Sequence, residues 1–319
     1  MTDTGKPEMA DGNGVPALSR DERERVAGLA ERLFRRPAPS DLGYNALRVR
    51  DFGTGRSVPE RARAFRELTA VIGARLGPPA WYGGSAKGPQ ARWRDERYTL
   101  VLEGWSTGAD LAAHHTGALE RLDAWYFDHG VGDGEEQVPS HDMLPYLWQL
   151  HRHPGERLVG GCDCLGLLPV AAPVTSWSLL EESLGMLLGA WSEQLPATVD
   201  DWAGFQLHHC AEDNRGGVVG YTPGTGLFAS VDDHDGDDSP EHAAAMRALG
   251  WQQRAGQRWK AVFPEPDRRS GTALARIVVA DARVRGAKSP ADLKVRDISC
   301  GDDGRFVLPA LGLEEWYWG

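Results

Sequence analysis

The chain has 319 residues, 41% of them apolar and 25% charged, with a formal net charge of −11. That length exceeds the size at which a single hydrophobic core usually stops growing, so two domains are expected, and the apolar content is ordinary for a soluble globular protein. The negative balance argues against a general nucleic-acid binder, which needs a dense Lys/Arg surface against phosphates; it reads first as solvated surface charge, with an acidic protein that neutralises a basic target as the alternative.

Residues 1–18 are polar and rich in Gly, Asp and Pro. They lack the basic-then-apolar pattern of a signal peptide, so a disordered tail and a cytoplasmic location are expected. Ser19 with Glu22 forms a capping box for a helix whose stripe is Val26, Leu29 and Leu33, ended by Pro37 and Pro39. A second box, Ser57 with Glu60, opens a helix lined by Phe65, Leu68, Ile72 and Leu76 and stopped by Gly77 and Pro78. Ala91 to Trp93 and Tyr98 to Leu102 then read as a hairpin across Arg94 to Arg97. From Asp110 to Tyr126, the residues Leu111, His115, Leu119, Leu122 and Tyr126 recur at helical spacing, which predicts a third helix. These elements give an N-terminal α+β domain over 19–157.

Residues 158–175 read as a connector. The apolar run from Leu158 to Val174 contains Asp163, two prolines and several glycines, which excludes a membrane-spanning helix. A C-terminal α+β domain then occupies 176–319. Thr175 and Ser176 cap a helix carrying Leu180, Leu184, Leu187 and Trp191 on one stripe. Phe205 to His209, Val218 to Tyr221 and Leu227 to Val231 are strands, the last two joined by a Gly/Pro turn. Ser239 caps a further helix, with Pro240 at its first position and Gly250 at its end. Trp259 to Phe263, a helix after Ser270 that stops at Gly286, and strands Leu293 to Ser299 and Arg305 to Leu308 complete the chain. Both halves run helix, then hairpin, without shared residue identity, so a duplicated unit stays open.

No nucleotide, hydrolase or zinc-protease motif is present. Cys162 and Cys164, with His151 and His153, are the best soft-metal ligands by chemistry, but a one-residue gap between cysteines gives little chelating geometry. Consecutive His208 and His209 in a strand point to opposite faces, one expected in the core and one in water, and His114 with His115 diverge likewise on a helix. An EF-hand register over Val231 to His242 fails, because Val231 and His242 take the two end positions that need carboxylates, so the run from Asp232 to Asp238 reads as a solvated acidic loop, with weak cation binding or partner contact as alternatives. No catalytic, cofactor or metal residues are therefore assigned. Twelve tryptophans are more than packing needs; core packing is still their main use, and a subset that lines an interaction groove is the sharper alternative.

The Trp-x-x-Leu-Leu helix, the GVVGY…GLFASV hairpin, AMRALGW and W…FPEPD together resemble the C-terminal region of actinobacterial TY-Chap proteins, which are related to YbjN and to type III secretion chaperones. The likeness spans Thr175 to Ser299. It implies a chaperone-like, peptide-binding α/β module without a cofactor, often encoded near secreted toxins. The acidic insert Asp232 to Asp238 and the long chain before Thr175 depart from the pattern. Helix-flanked antiparallel sheets in two domains, the second YbjN-like, are the expected α+β architecture. The expected function is non-enzymatic binding of a protein or peptide, such as a basic secreted toxin, with a homodimer left open and neither nucleic acid nor membrane as partner. Tyr221, Phe228, Asp233, Asp235, Asp237 and Asp238 are the candidate partner-binding residues. The alternative is a hydrolase or metal-dependent enzyme whose His/Cys/Asp cluster forms only on folding.

Overall fold

The computed structural model describes residues 14–43, 45–84, 87–129, 147–150, 173–198, 202–209, 216–233, 239–256, 258–300, 304–308 and 311–315. Its helices are α1 (Arg20–Arg35), α2 (Val58–Leu76), α3 (Thr116–His129), α4 (Trp177–Thr198), α5 (Pro240–Ala248) and α6 (Arg268–Val284). The strands of the first half are β1 (Leu47–Asp51), β2 (Trp81–Gly84), β3 (Pro89–Arg94), β4 (Tyr98–Gly104), β5 (Gly108–His115) and β6 (Leu147–Leu150). Those of the second are β7 (Ala203–His209), β8 (Gly216–Thr222), β9 (Gly226–Asp232), β10 (Gln253–Ala255), β11 (Arg258–Phe263), β12 (Leu293–Cys300), β13 (Gly304–Val307) and β14 (Glu314–Glu315). The protein is thus α+β.

All the strands belong to one sheet in the order β1-β5-β4-β3-β2-β6-β13-β12-β7-β8-β9-β11-β10, with β14 beside β12. Every pairing is antiparallel except β12 with β14. The expected separate sheets are joined because β6 pairs β2 on one side and β13 on the other. Helices α1, α2, α4 and α6 lie side by side on one face, each packed on the next. Beneath them the buried apolar side chains form two clusters, one under α1 and α2 and the other under α4 and α6. The α3 helix covers the opposite face of β4 and β5, where its Asp123 meets Arg92.

The local rules explain most helix boundaries. Glu22 accepts from the Ser19 amide at 2.8 Å and Glu60 from the Ser57 amide at 2.9 Å, so both capping boxes form. Ser239 accepts from the His242 amide, and Gly250 adopts φ of 102°, the left-handed cap that stops α5. Helix α4 does not end before Pro196 but runs to Thr198, because Arg66 of α2 donates to the Pro196 carbonyl at 2.6 Å and ties the last turn down. The cap of α6 is Asp267 rather than Ser270, whose amide it binds at 2.8 Å.

Two expectations fail for identifiable reasons. Residues 108–115 form a strand, so only the second part of the proposed Asp110 to Tyr126 helix is helical. Leu111 satisfies both periods, but Ala109, Leu111 and Ala113 point inward while Asp110, Ala112 and His114 do not, which is the two-residue alternation that β4 pairs with. The tail is also shorter than 1–18. Leu18 is buried, its amide donates to Glu67 at 3.1 Å, and Arg50 donates to the Pro16 carbonyl, so the end of that segment has apolar and polar partners that hold it.

Candidate functional site

Strands β7, β8, β9, β11 and β12 present one face to α4 and α6 and one away from them. Phe205, Leu207, Val219, Tyr221, Leu227, Ala229, Val231, Trp259 and Ala261 belong to the helix-facing core, so their alternate neighbours occupy the outer face. There Gly204 pairs Gly220, Gly220 pairs Phe228, and Phe228 pairs Val262. The next row is Arg296, Gln206, Val218, Ser230 and Lys260. The glycines keep the middle of this surface at backbone height. A Cβ on Gly220 would come within 2.9 Å of the Phe228 ring, so that ring lies across the glycine.

Val218, Phe228 and Val262 are half-exposed, while Lys260 and Arg258 beside them are exposed. Arg296 donates to Gln206 at 2.9 Å, and Lys294 pairs with Glu314 at 3.1 Å, which occupies the cations at the other margin. The result is an apolar strip, bordered by positive side chains, on a stiff antiparallel support. Such a surface can accept an apolar segment of another polypeptide.

Of the six candidate residues, Phe228 lies on this strip. Tyr221 does not. It pairs Ala203, shares the helix-facing side with Phe205, and is 5% exposed; burial pushes its phenol above the ordinary range, opposed by the charge of Arg66. Asp233 is likewise no surface charge. It is 5% exposed and accepts from Trp259 Nε1 at 2.7 Å, with His242 Nε2 at 2.8 Å from the same oxygen. Asp235, Asp237 and Asp238 lie outside the described residues, as do His151, His153, Cys162, Cys164 and Cys210.

A second carboxylate node sits close by: Asp281 accepts from Trp251 Nε1 at 3.2 Å and from Arg285 at 2.7 Å, and burial holds its pKa above the usual value. Each of these two indoles thus donates to a buried aspartate, which explains part of the tryptophan excess by architecture. Trp93 does the same to the Gly77 carbonyl, whereas Trp202 is 41% exposed.

On the outer face of β3–β5, beneath α3, Arg92 bonds Asp123 at 2.8 Å and Gln90 at 2.9 Å, and Gln90 donates to Glu103. His114 shares this layer. Burial, and secondarily the charge of Arg92, lower its pKa to about 4. Sequence reasoning missed the cluster because it placed His114 on a helix. His115 points the other way and packs against Tyr98 at 5.5 Å between ring centroids. His208 and His209 also diverge, but not as core and water. His209 is half-exposed on the helix side, while the outer-face His208 is buried, its ring lying over Gly216 and within 3.0 Å of Gln206.

Among the described residues, no group of three or more His, Cys, Asp and Glu is placed to hold a metal ion, and no helix is long and apolar enough to cross a membrane. Comparison with family models, with curated proteins and with solved structures finds no match to this chain.

Proposed function

We propose that the chain is a non-enzymatic protein- or peptide-binding module, chaperone-like or toxin-immunity-like, built of two units of which the second is YbjN-like and acts in the cytoplasm. The observation that carries this is the half-exposed strip of Val218, Phe228 and Val262, spread over two adjacent rows on the outer face of the second half's strands. Apolar side chains on neighbouring strands give a partner something to bury. The net charge of −11 steers a basic partner, such as a secreted toxin, toward the molecule. Arg258 and Lys260 then select an acidic residue within the segment that touches the strip.

The enzyme alternative draws on the Asp233–His242 pair, in which a buried carboxylate orients an imidazole whose side chain is 27% exposed. Capture from native lysate separates the two readings. The double variant Phe228→Ser, Val262→Ser should lose the partner, since removing central apolar contacts costs roughly 2–4 kcal/mol of binding, or about 30-fold and more. Undiminished capture by that variant, or turnover of a small molecule that depends on His242, would overturn the proposal.

A further inference from the structure

The two halves of the sheet treat their outer faces differently. In the first half, Leu100 and Leu102 belong to the helix-side core, so Val101 between them lies on the outer face, which α3 covers. Val101 and Leu119 of α3 are both buried. The same helix is fixed by charge. Arg92 and Arg94, two positions apart on β3 and alternating with the inward Ala91 and Trp93, reach Asp123 at 2.8 Å and Glu120 at 2.6 Å. Those acids stand three positions apart on α3, so one turn of helix answers two cations on one side of a strand. The spacings agree: alternate strand residues are about 6.7 Å apart and helical residues three apart about 5–6 Å, a difference that long side chains absorb.

The second half carries a like pair of cations without such a helix over them. Arg258 and Lys260 are two positions apart on β11, alternate with the inward Trp259 and Ala261, and are both exposed. Neither makes an ion pair among the described residues. Lys260 lies opposite the neutral Ser230, and Arg258 opposite Asp232, which it does not bridge. Beside them Val218, Phe228 and Val262 are half-exposed, whereas Val101 in the first half is buried. Helices α4 and α6 pack on the other side of these strands. The face therefore offers what α3 finds on the first half, apolar side chains next to two cations one strand period apart, and a sheet face buries such side chains readily beneath a helix.

We infer that the partner segment held on this strip is an acidic amphipathic α-helix, which takes on β9 and β11 the place that α3 takes on β4 and β5. Its apolar side chains cover Val218, Phe228 and Val262, and two of its carboxylates, three or four positions apart, pair with Arg258 and Lys260. This rests on the reading of the strip as the partner site and adds what the partner presents there. The surplus of acids elsewhere in the chain does not oppose it. A net charge of −11 draws in a basic protein over distance, while at the contact the nearest charges, closer than a Debye length, select the helix that docks.

Fluorescence polarisation at about 0.15 M salt tests this with a stapled helical peptide as probe, bearing leucines along one face and glutamates three positions apart at its border. Wild type should bind it saturably. Lysines in place of the glutamates, a helix-breaking proline in an unstapled copy, or Arg258→Glu with Lys260→Glu in the protein should each weaken binding about tenfold or more. The charge-reversed protein should regain affinity for the lysine peptide. Both cations are exposed, so reversing them spares the fold, and the peptide changes leave the protein untouched. No saturable binding of the glutamate peptide, indifference to peptide charge, or equal binding of the proline copy would overturn the inference. Capture from native lysate by the Phe228→Ser, Val262→Ser variant tells the two failures apart: if that capture is lost while peptide charge makes no difference, the strip still holds a partner and only the acidic helix is wrong, and if it is undiminished both readings fall.

Discussion

Helices α4 and α6 touch through glycines, and this contact can be tested by adding one methyl group. A Cβ on Gly271 would sit 2.3 Å from the Gly189 nitrogen and 2.7 Å from its Cα, both backbone atoms that no rotamer change can remove. Ordinary contact begins near 3.4 Å, so Gly271→Ala must part the two helices by about 1 Å. Leu184, Leu188, Leu274, Ala275 and Val278 pack in the same core and lose contact with it. Over-packing of this kind costs roughly 1–3 kcal/mol, and the upper end is expected because the obstacle is main chain on a buried seam. Gly185 is the internal control. Its added Cβ would meet Thr272 Cα at 3.4 Å, an ordinary contact, while alanine gains up to about 1 kcal/mol of helix propensity. Urea unfolding should therefore place Gly271→Ala about 3 kcal/mol below wild type and Gly185→Ala at or above it. Equal stability of the two variants would refute the helix packing described.

Three further outcomes follow from the buried polar groups. Asp123→Ala should cost about 3–5 kcal/mol in denaturant titration, since it strands the Arg92 charge, whereas Arg92→Met with Asp123→Leu should cost much less; equal losses would mean that Arg92 is not desolvated. Asp233→Ala should destabilise by about 2–4 kcal/mol, because it strands the Trp259 indole and removes the His242 partner, and a loss under 0.5 kcal/mol would show Asp233 to be a surface charge after all. His114 binds its proton more readily unfolded, near pH 6.5, than folded, near 4, so its contribution is present above the first value and is lost as pH falls through the second. Relative to wild type, His114→Gln should gain up to about 3 kcal/mol between pH 7 and pH 4, and a pH-independent gap between the two would contradict the burial of His114.

The parts of this fold legible in the sequence are those governed by neighbours along the chain. Ser19, Ser57 and Ser239 start helices because each finds its partner three residues on, and Gly250 and Gly286 end them because their positive φ favours glycine. The inward direction of Phe205 and Leu207 was also legible, since α4 needed an apolar support and Trp191 stacks edge-on against Phe205 at 5.9 Å. Whatever depended on pairing across long intervals was not legible. The union of the two halves rests on Gly83 meeting Trp148 and Trp148 meeting Val307, a register that no local pattern encodes. Tyr221 has the residue type of a binding side chain, but its pairing with Ala203 turns it inward. Asp233 reads as one acid in a solvated run until β11 and α5 bring Trp259 and His242 to it.

Site-specific photo-crosslinking tests the binding face most directly. A benzophenone amino acid placed at Phe228 or Val262 should form a discrete adduct with one partner polypeptide in cells, while the same probe at the exposed Arg35 of α1 or Arg276 of α6 should not. Adducts of the same kind from all four positions, or none from 228 and 262, would contradict the claim that the outer face of the second half's strands is where this protein holds its partner.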